Sequence, residues 1–143
     1  MSKRIRQYIG LVVAVVLYYV IHEGAHLAVA LGLGVFKQIN IIGLGMQVDI
    51  FAEQMTPTQI GWFCAAGPIT TFVVGWLLVV FADKLCSIKS ALIRTCAWYT
   101  SLTMLILDAL YLSVFYRWVG GGDMNGIALI VPEVVASMVA IVV

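Results

Sequence analysis

Apolar and polar positions follow one another along this chain in long blocks. Met1 to Gln7 is polar and holds Lys3, Arg4 and Arg6; from about Tyr8 to Leu31 nearly every residue is apolar or small. A helix needs about 20 such residues to cross the hydrocarbon of a bilayer, so this block predicts a first span. Gly32 and Gly34 follow it, and glycine commonly sits just past a helix C-terminus. From Val35 to Met55 the period changes. Val35, Ile39, Ile41, Val48 and Ile50 are β-branched, polar residues stand among them, and Gly43 and Gly45 interrupt the run. That pattern predicts a short β-hairpin with the glycines near its turn, kept close to water by Lys37, Asp49 and Glu53. Ile60 to Ala82 carries no charge and predicts a second span. Near its start stands Ala65-Ala66-Gly67-Pro68, where small residues permit close helix approach and Pro68 predicts a kink or a helix start. Asp83 to Arg94 is a polar connector with Lys84, Lys89 and Arg94. A third span is predicted from about Thr95 to Tyr116, with Asp108 as its one charge. Arg117 and a glycine-rich loop, Gly120 to Gly126, lead into a last apolar run from Ile127 to Val143. That run contains Pro132 and Glu133 and is barely long enough to cross, so it is expected to be tilted, bent or partly inserted.

Composition agrees with the pattern. The 143 residues are 63% hydrophobic and 10% charged, with a mean hydropathy of +1.07. The expected fold is an all-α polytopic membrane protein of one domain, residues 1–143, with three to four transmembrane helices and a short β-hairpin after the first. Its surroundings are the lipid bilayer. A net charge of +1 gives no case for nucleic acid. Cys64, Cys86 and Cys96 form no C-x-x-C pair and read as reduced, small apolar residues. The first apolar run is too long for a cleaved signal peptide and lacks a small-residue cleavage site. The two basic segments, the N-terminal cap and the Asp83–Arg94 connector, fall on one side of the membrane, predicted to be cytoplasmic together with the N-terminus. The hairpin and the Gly120–Gly126 loop then lie opposite. His22, His26, Gly67, Asp108 and Asp123 all come to a similar depth.

Inside the first span the chain reads Ile21-His22-Glu23-Gly24-Ala25-His26-Leu27, an H-E-x-x-H. Helical positions i and i+4 share a face, so His22 and His26 can direct two imidazoles at one metal ion while Glu23 reaches a water beside it. A lone buried histidine is usually a satisfied core residue. Two histidines and a glutamate within one turn of a lipid-embedded helix are costly without a use. A catalytic zinc ordinarily takes three protein ligands. The third is sought among Asp123, Asp108, Glu133 and Asp49. Asp123 ranks first because glycines before it let the chain approach closely. It is also an ordinary helix N-cap type. Asp108 ranks second, as a mid-span carboxylate in want of a cation; its alternative is a polar contact to Ser101, Tyr99 or Tyr111 within the bundle. Glu133 beside Pro132 can simply reach an interface.

These residues together resemble the site-2 protease class of intramembrane zinc metalloproteases. The resemblance rests on three places in the same order: His22, Glu23 and His26; Ala66-Gly67-Pro68 early in the next core helix; and Gly122-Asp123-Met124-Asn125-Gly126, with Asp123 at the last ligand position. A β-structured segment between the first two core helices, here Val35–Ile50, is also common in that class. The chain departs from the class at Thr71, where an Asn is frequent, and at Asp123, which no glycine directly follows and no Asn-Pro or Pro-Leu pair precedes. No PDZ-like module is visible in the sequence. The resemblance implies one zinc ion per chain on His22, His26 and Asp123, Glu23 as general base, and Gly67 and Pro68 near the substrate.

The expected activity is therefore hydrolysis of peptide bonds in a transmembrane-helix protein substrate. Such a substrate must unwind locally, and Ile39 and Ile41 on the hairpin edge are the expected holders of its extended form. Two other readings stand beside it. One is a non-proteolytic relative that binds metal or helices without cutting. The other is a small metal or proton carrier, for which span two offers only Thr70 and Thr71 as a polar path. Homo-oligomerisation is left open.

Overall fold

The computed structural model describes residues 1–42, 45–120 and 122–142. It is mostly helical. Helix α1 runs Lys3–Gly32, followed by strands β1 (Phe36–Ile42) and β2 (Gly45–Ile50) and a 3-10 turn at Ala52–Gln54. Helix α2 (Pro57–Val80), the short α3 (Ala82–Ser87) and α4 (Ala91–Leu110) come next. A π-helical turn, Tyr111–Phe115, carries α4 into α5 (Tyr116–Val119), and α6 (Gly122–Ile127) and α7 (Glu133–Val142) complete the chain. Among the described residues three helices are long and apolar enough to cross a membrane: Lys3–Gly32, Pro57–Val80 and the continuous Ala91–Val119.

Helix ends follow local chemistry. Ser2 caps α1 through Ile5 N–H, which brings the basic cap into the helix rather than leaving it ahead of the span. Thr56 and Gln59 close a capping box, and Pro57 occupies the first turn of α2, where its missing N–H costs nothing. Pro68 therefore does not start the helix; it lies inside it. Gly34, at φ +69, turns the chain out of α1 into the hairpin. The hairpin is antiparallel, with Ile39 opposite Val48 and Ile41 opposite Met46. The expected turn glycine Gly43 lies outside the described residues, as does Gly121.

Two expectations are corrected. The Asp83–Arg94 connector is partly helical, with α3 inside it and Arg94 already in α4, whose N-cap is Ser90. The glycine-rich stretch is not all loop, since Gly122–Ile127 is helical. The last apolar run is bent, in keeping with its expected geometry: Ile127 ends α6, and Pro132 precedes an α7 of ten residues, too short to cross.

The long helices meet along stripes of spacing four. On α1 the buried positions are Gly10, Ala14, His22, His26 and Ala30. On the third long helix they are Thr100, Met104, Asp108, Leu112 and Tyr116. On α2 they include Gly61, Cys64, Gly67, Pro68, Thr71 and Gly75. Residues four apart share one face; on α1 and α2 these faces are mostly small or polar, while the third long helix adds the larger Met104, Leu112 and Tyr116. Large apolar side chains such as Val12, Trp62 and Trp98 point outward instead. Small inward residues allow close backbone approach where lipid gives helices no hydrophobic reason to associate. A Cβ on Gly10 would come within 2.9 Å of the Tyr99 ring on α4, and one on Gly75 within 2.8 Å of Leu105.

Candidate metal centre

Helix α1 brings His22 and His26 to the bundle interior on its buried stripe, 6% and 3% exposed. Helix α6 brings the third group. Met124 and Ile127 bury themselves in the core beside Cys64 of α2, and this anchors the first turn of α6 with Asp123 facing the two imidazoles. One Asp123 oxygen lies 3.1 Å from His22 Nε2, the other 3.5 Å from His26 Nε2, and the two Nε2 atoms are 3.1 Å apart. The ligand atoms of His22, His26 and Asp123 all fall within 4.8 Å of one another, so the cluster could hold a metal ion.

The far side of each imidazole decides its tautomer. His26 Nδ1 is 2.8 Å from the Phe63 carbonyl oxygen. A carbonyl only accepts, so Nδ1 carries the hydrogen and donates it. His22 Nδ1 faces Asp108 Oδ2 at 3.3 Å. Asp108 is fully buried and also receives the Tyr18 hydroxyl at 2.6 Å and the Thr71 hydroxyl. Three groups able to donate converge on it, which suits an ionised carboxylate and places the His22 hydrogen on Nδ1. Both Nε2 atoms of neutral imidazoles are then bare lone pairs, facing each other and a carboxylate. Two things relieve that crowding: a proton on one Nε2, or a metal cation shared by all three residues. Burial alone would push the Asp123 carboxyl up; with a proton on an Nε2, the imidazole that then donates to it outweighs burial and holds the group down at about 2.

Gly67 belongs to the same geometry. A Cβ there would stand 2.5 Å from His26 Nε2 and 2.6 Å from His22 Nε2. The missing side chain of α2 is the space in which the two nitrogens meet. Pro68, its neighbour, is buried and turned to the α6–α7 side of α2. Glu23 is half-buried beside the pair; its Oε2 accepts the Val48 N–H of β2 at 3.0 Å. It lines a cleft of about 500 Å³ with His26, Asp123, Tyr19 and Tyr111. Among the described residues the strand wall of this cleft is Gly45–Val48 of β2. Ile39 and Ile41 stand on β1, the neighbouring strand, and Ile41 is 81% exposed.

The remaining sequence candidates lie apart from the cluster. Asp49 pairs with Lys37 at 3.1 Å, and Glu133 bonds the Tyr116 hydroxyl and pairs with Arg117. Asp108 touches none of Ser101, Tyr99 or Tyr111 through a hydrogen bond among the described residues; its partners are Tyr18, Thr71 and His22. It reaches His22 from the nitrogen opposite the cluster. Sequence reading missed Tyr18 and Phe63. Tyr18 had a signal, since it stands four residues before His22 on the same face. The Phe63 carbonyl had none, because a backbone acceptor leaves no mark on residue type. No protein-family model matches this chain, and neither does a curated protein or a solved structure.

Proposed function

We propose that the protein is a membrane-embedded zinc endopeptidase of the site-2 protease type, acting on transmembrane-helix protein substrates. One observation carries the reading: the Nε2 atoms of His22 and His26 and the carboxylate of Asp123 converge on one point, while the far nitrogen of each ring is engaged by Asp108 or by the Phe63 carbonyl. Two histidines and one carboxylate are a donor set suited to catalytic zinc, with coordination left free for water. Bound there, zinc would lower the pKa of a water toward neutrality and polarise a scissile carbonyl.

The chain's own groups supply the rest. Glu23, one residue from His22 and exposed to the cleft, takes the proton of the attacking water and returns it to the leaving amine. Water reaches the site through the cleft, while α1, α2 and α6 bury the imidazoles. Val48 turns its N–H away from β1 and toward Glu23, so β2 presents a strand edge beside the metal position. An unwound substrate segment can add to that edge through main-chain hydrogen bonds. This moves the substrate-holding strand from Ile39 and Ile41 to Met46 and Val48. Three long apolar helices support insertion in a bilayer, with the basic N-terminal end cytoplasmic.

Purified protein, assayed in detergent against a peptide from a transmembrane helix, tests the reading. It should contain about one zinc per chain and cleave. Glu23→Gln should retain zinc and helical content and lose cleavage by about a hundredfold or more, because Gln cannot take the proton. Near wild-type cleavage by that variant removes Glu23 from its role. Zinc in the wild type with no cleavage of any helical substrate leaves a metal-binding protein that does not cut.

A further inference from the structure

We infer that Asp108 is a positioning residue for the metal site: it fixes the orientation of His22 through Nδ1 and strengthens His22 as a ligand through its charge. The inference deepens the metal site proposed above and rests on it.

An imidazole on a helix has a broad, roughly two-fold preference at its outer torsion. Nothing in the H-E-x-x-H itself selects Nε2 over Nδ1 for the metal. The selection comes from what stands behind the ring. Behind His26 it is a neutral acceptor, the Phe63 carbonyl at 2.8 Å. Behind His22 it is Asp108 Oδ2 at 3.3 Å. The two ligands are therefore supported unequally, and only His22 has a carboxylate at its back. Carboxylates in that position orient a ligating histidine and raise its basicity.

The carboxylate is itself held by parts of three helices. Tyr18 stands one turn before His22 on α1, and Thr71 stands one turn after Gly67 on α2; both hydroxyls reach Asp108 on α4. Thr71 Oγ also lies 2.9 Å from the Pro68 carbonyl and 3.3 Å from that of Gly67. It has one proton, and the charged acceptor is the stronger claimant. Removing an ion from water costs several kcal/mol unless hydrogen bonds compensate. Two hydroxyls and an imidazole N–H supply that compensation here, in a residue with 0% exposure.

The test is metal affinity, read without any cleavage assay. Asp108→Asn keeps the size and an oxygen that can accept from His22 Nδ1, and removes the charge. Zinc affinity of the variant, by competition with a chromophoric chelator in detergent, should fall about 10–100-fold. The visible bands of the cobalt(II)-substituted protein should shift, since the donor strength of one imidazole has changed. Asp49→Asn, at the Lys37 pair, should change neither. An Asp108→Asn protein that melts earlier but binds zinc as tightly, with the same cobalt spectrum, overturns the inference and leaves Asp108 as a structural contact. If Asp108→Asn does not fold, Thr71→Val loosens the same carboxylate at nearly constant shape. It should weaken zinc binding and shift the cobalt bands, and unchanged values overturn the inference equally. Wild type that takes up no metal defeats the metal site itself; a wild type that binds beside an unaltered Asp108→Asn defeats only the role of Asp108.

Discussion

Replacing Gly67 by Ala is a direct test of where a metal would sit. The added methyl carbon would be 2.5 Å from His26 Nε2 and 2.6 Å from His22 Nε2. Ordinary van der Waals contact begins at 3.4 Å, so the shortfalls are about 0.9 and 0.8 Å. Metal–ligand distances tolerate only about 0.2 Å. The imidazoles cannot yield that far and still share one ion, and the methyl itself fills the space between them. Overpacking of this kind costs about 1–3 kcal/mol in a packed interior. Against that, Ala is favoured over Gly within a helix by about 1 kcal/mol, so α2 itself has no reason to melt. Disturbing only an outer partner of a ligand already weakens metal binding about 10–100-fold. Displacing two ligands together should exceed the upper figure, which is about 2.8 kcal/mol of binding free energy. Zinc titration in detergent measures the loss, and circular dichroism checks that the helices persist. Gly24→Ala is the matched control: it lies within the H-E-x-x-H, yet its Cβ would meet nothing within 4 Å, and zinc binding should be unchanged. A folded Gly67→Ala protein with wild-type zinc affinity would refute the placement of the ion between the two Nε2 atoms.

Two further predictions follow from the same geometry. Asp123→Ala leaves two histidines and a wider, water-filled opening, so zinc affinity should drop by more than the roughly hundredfold limit of an outer-partner effect, and cleavage should vanish; tight zinc in that variant excludes Asp123 as a ligand. Proline at Met46 should remove a donor from the cleft-side edge of β2 and reduce cleavage with zinc retained, whereas proline at Ile41 on β1 should leave cleavage largely intact; the reverse order returns the substrate edge to β1.

The three long helices were legible because hydrophobic runs of that length have few alternative explanations. Their ends were less so: Thr56 and Gln59 close a capping box that starts α2 three residues earlier than hydrophobicity suggests. The hairpin could be read from β-branched residues, but not which strand faces the site, since both strands carry them. Helix α6 reads as loop in the sequence because three glycines lead into a helix whose stability comes from burying Met124 and Ile127. The cluster of His22, His26 and Asp123 was proposed from residue types, and the fold brings the three together. The partners of Asp108 are not legible in the sequence. Its nearest polar neighbours in sequence lie on its own helix, whereas Tyr18 and Thr71 are 90 and 37 positions away. Which distant residues share a mid-span carboxylate is decided by how stripes on different helices face one another, and one sequence does not carry that information.

Val48 has a single N–H, and Glu23 holds it at 3.0 Å. On the proposed reading this donor has two claimants, because a guest strand adding to β2 needs the same N–H. The two cannot be served together. Arrival of a guest at that position evicts the carboxylate, and a carboxylate at rest there closes that position of the edge. Occupancy of the strand and release of the base thus become one equilibrium instead of two. A base tethered until its substrate arrives does no idle chemistry on stray water, and the tether is a backbone hydrogen bond that substitution of the Val48 side chain leaves in place.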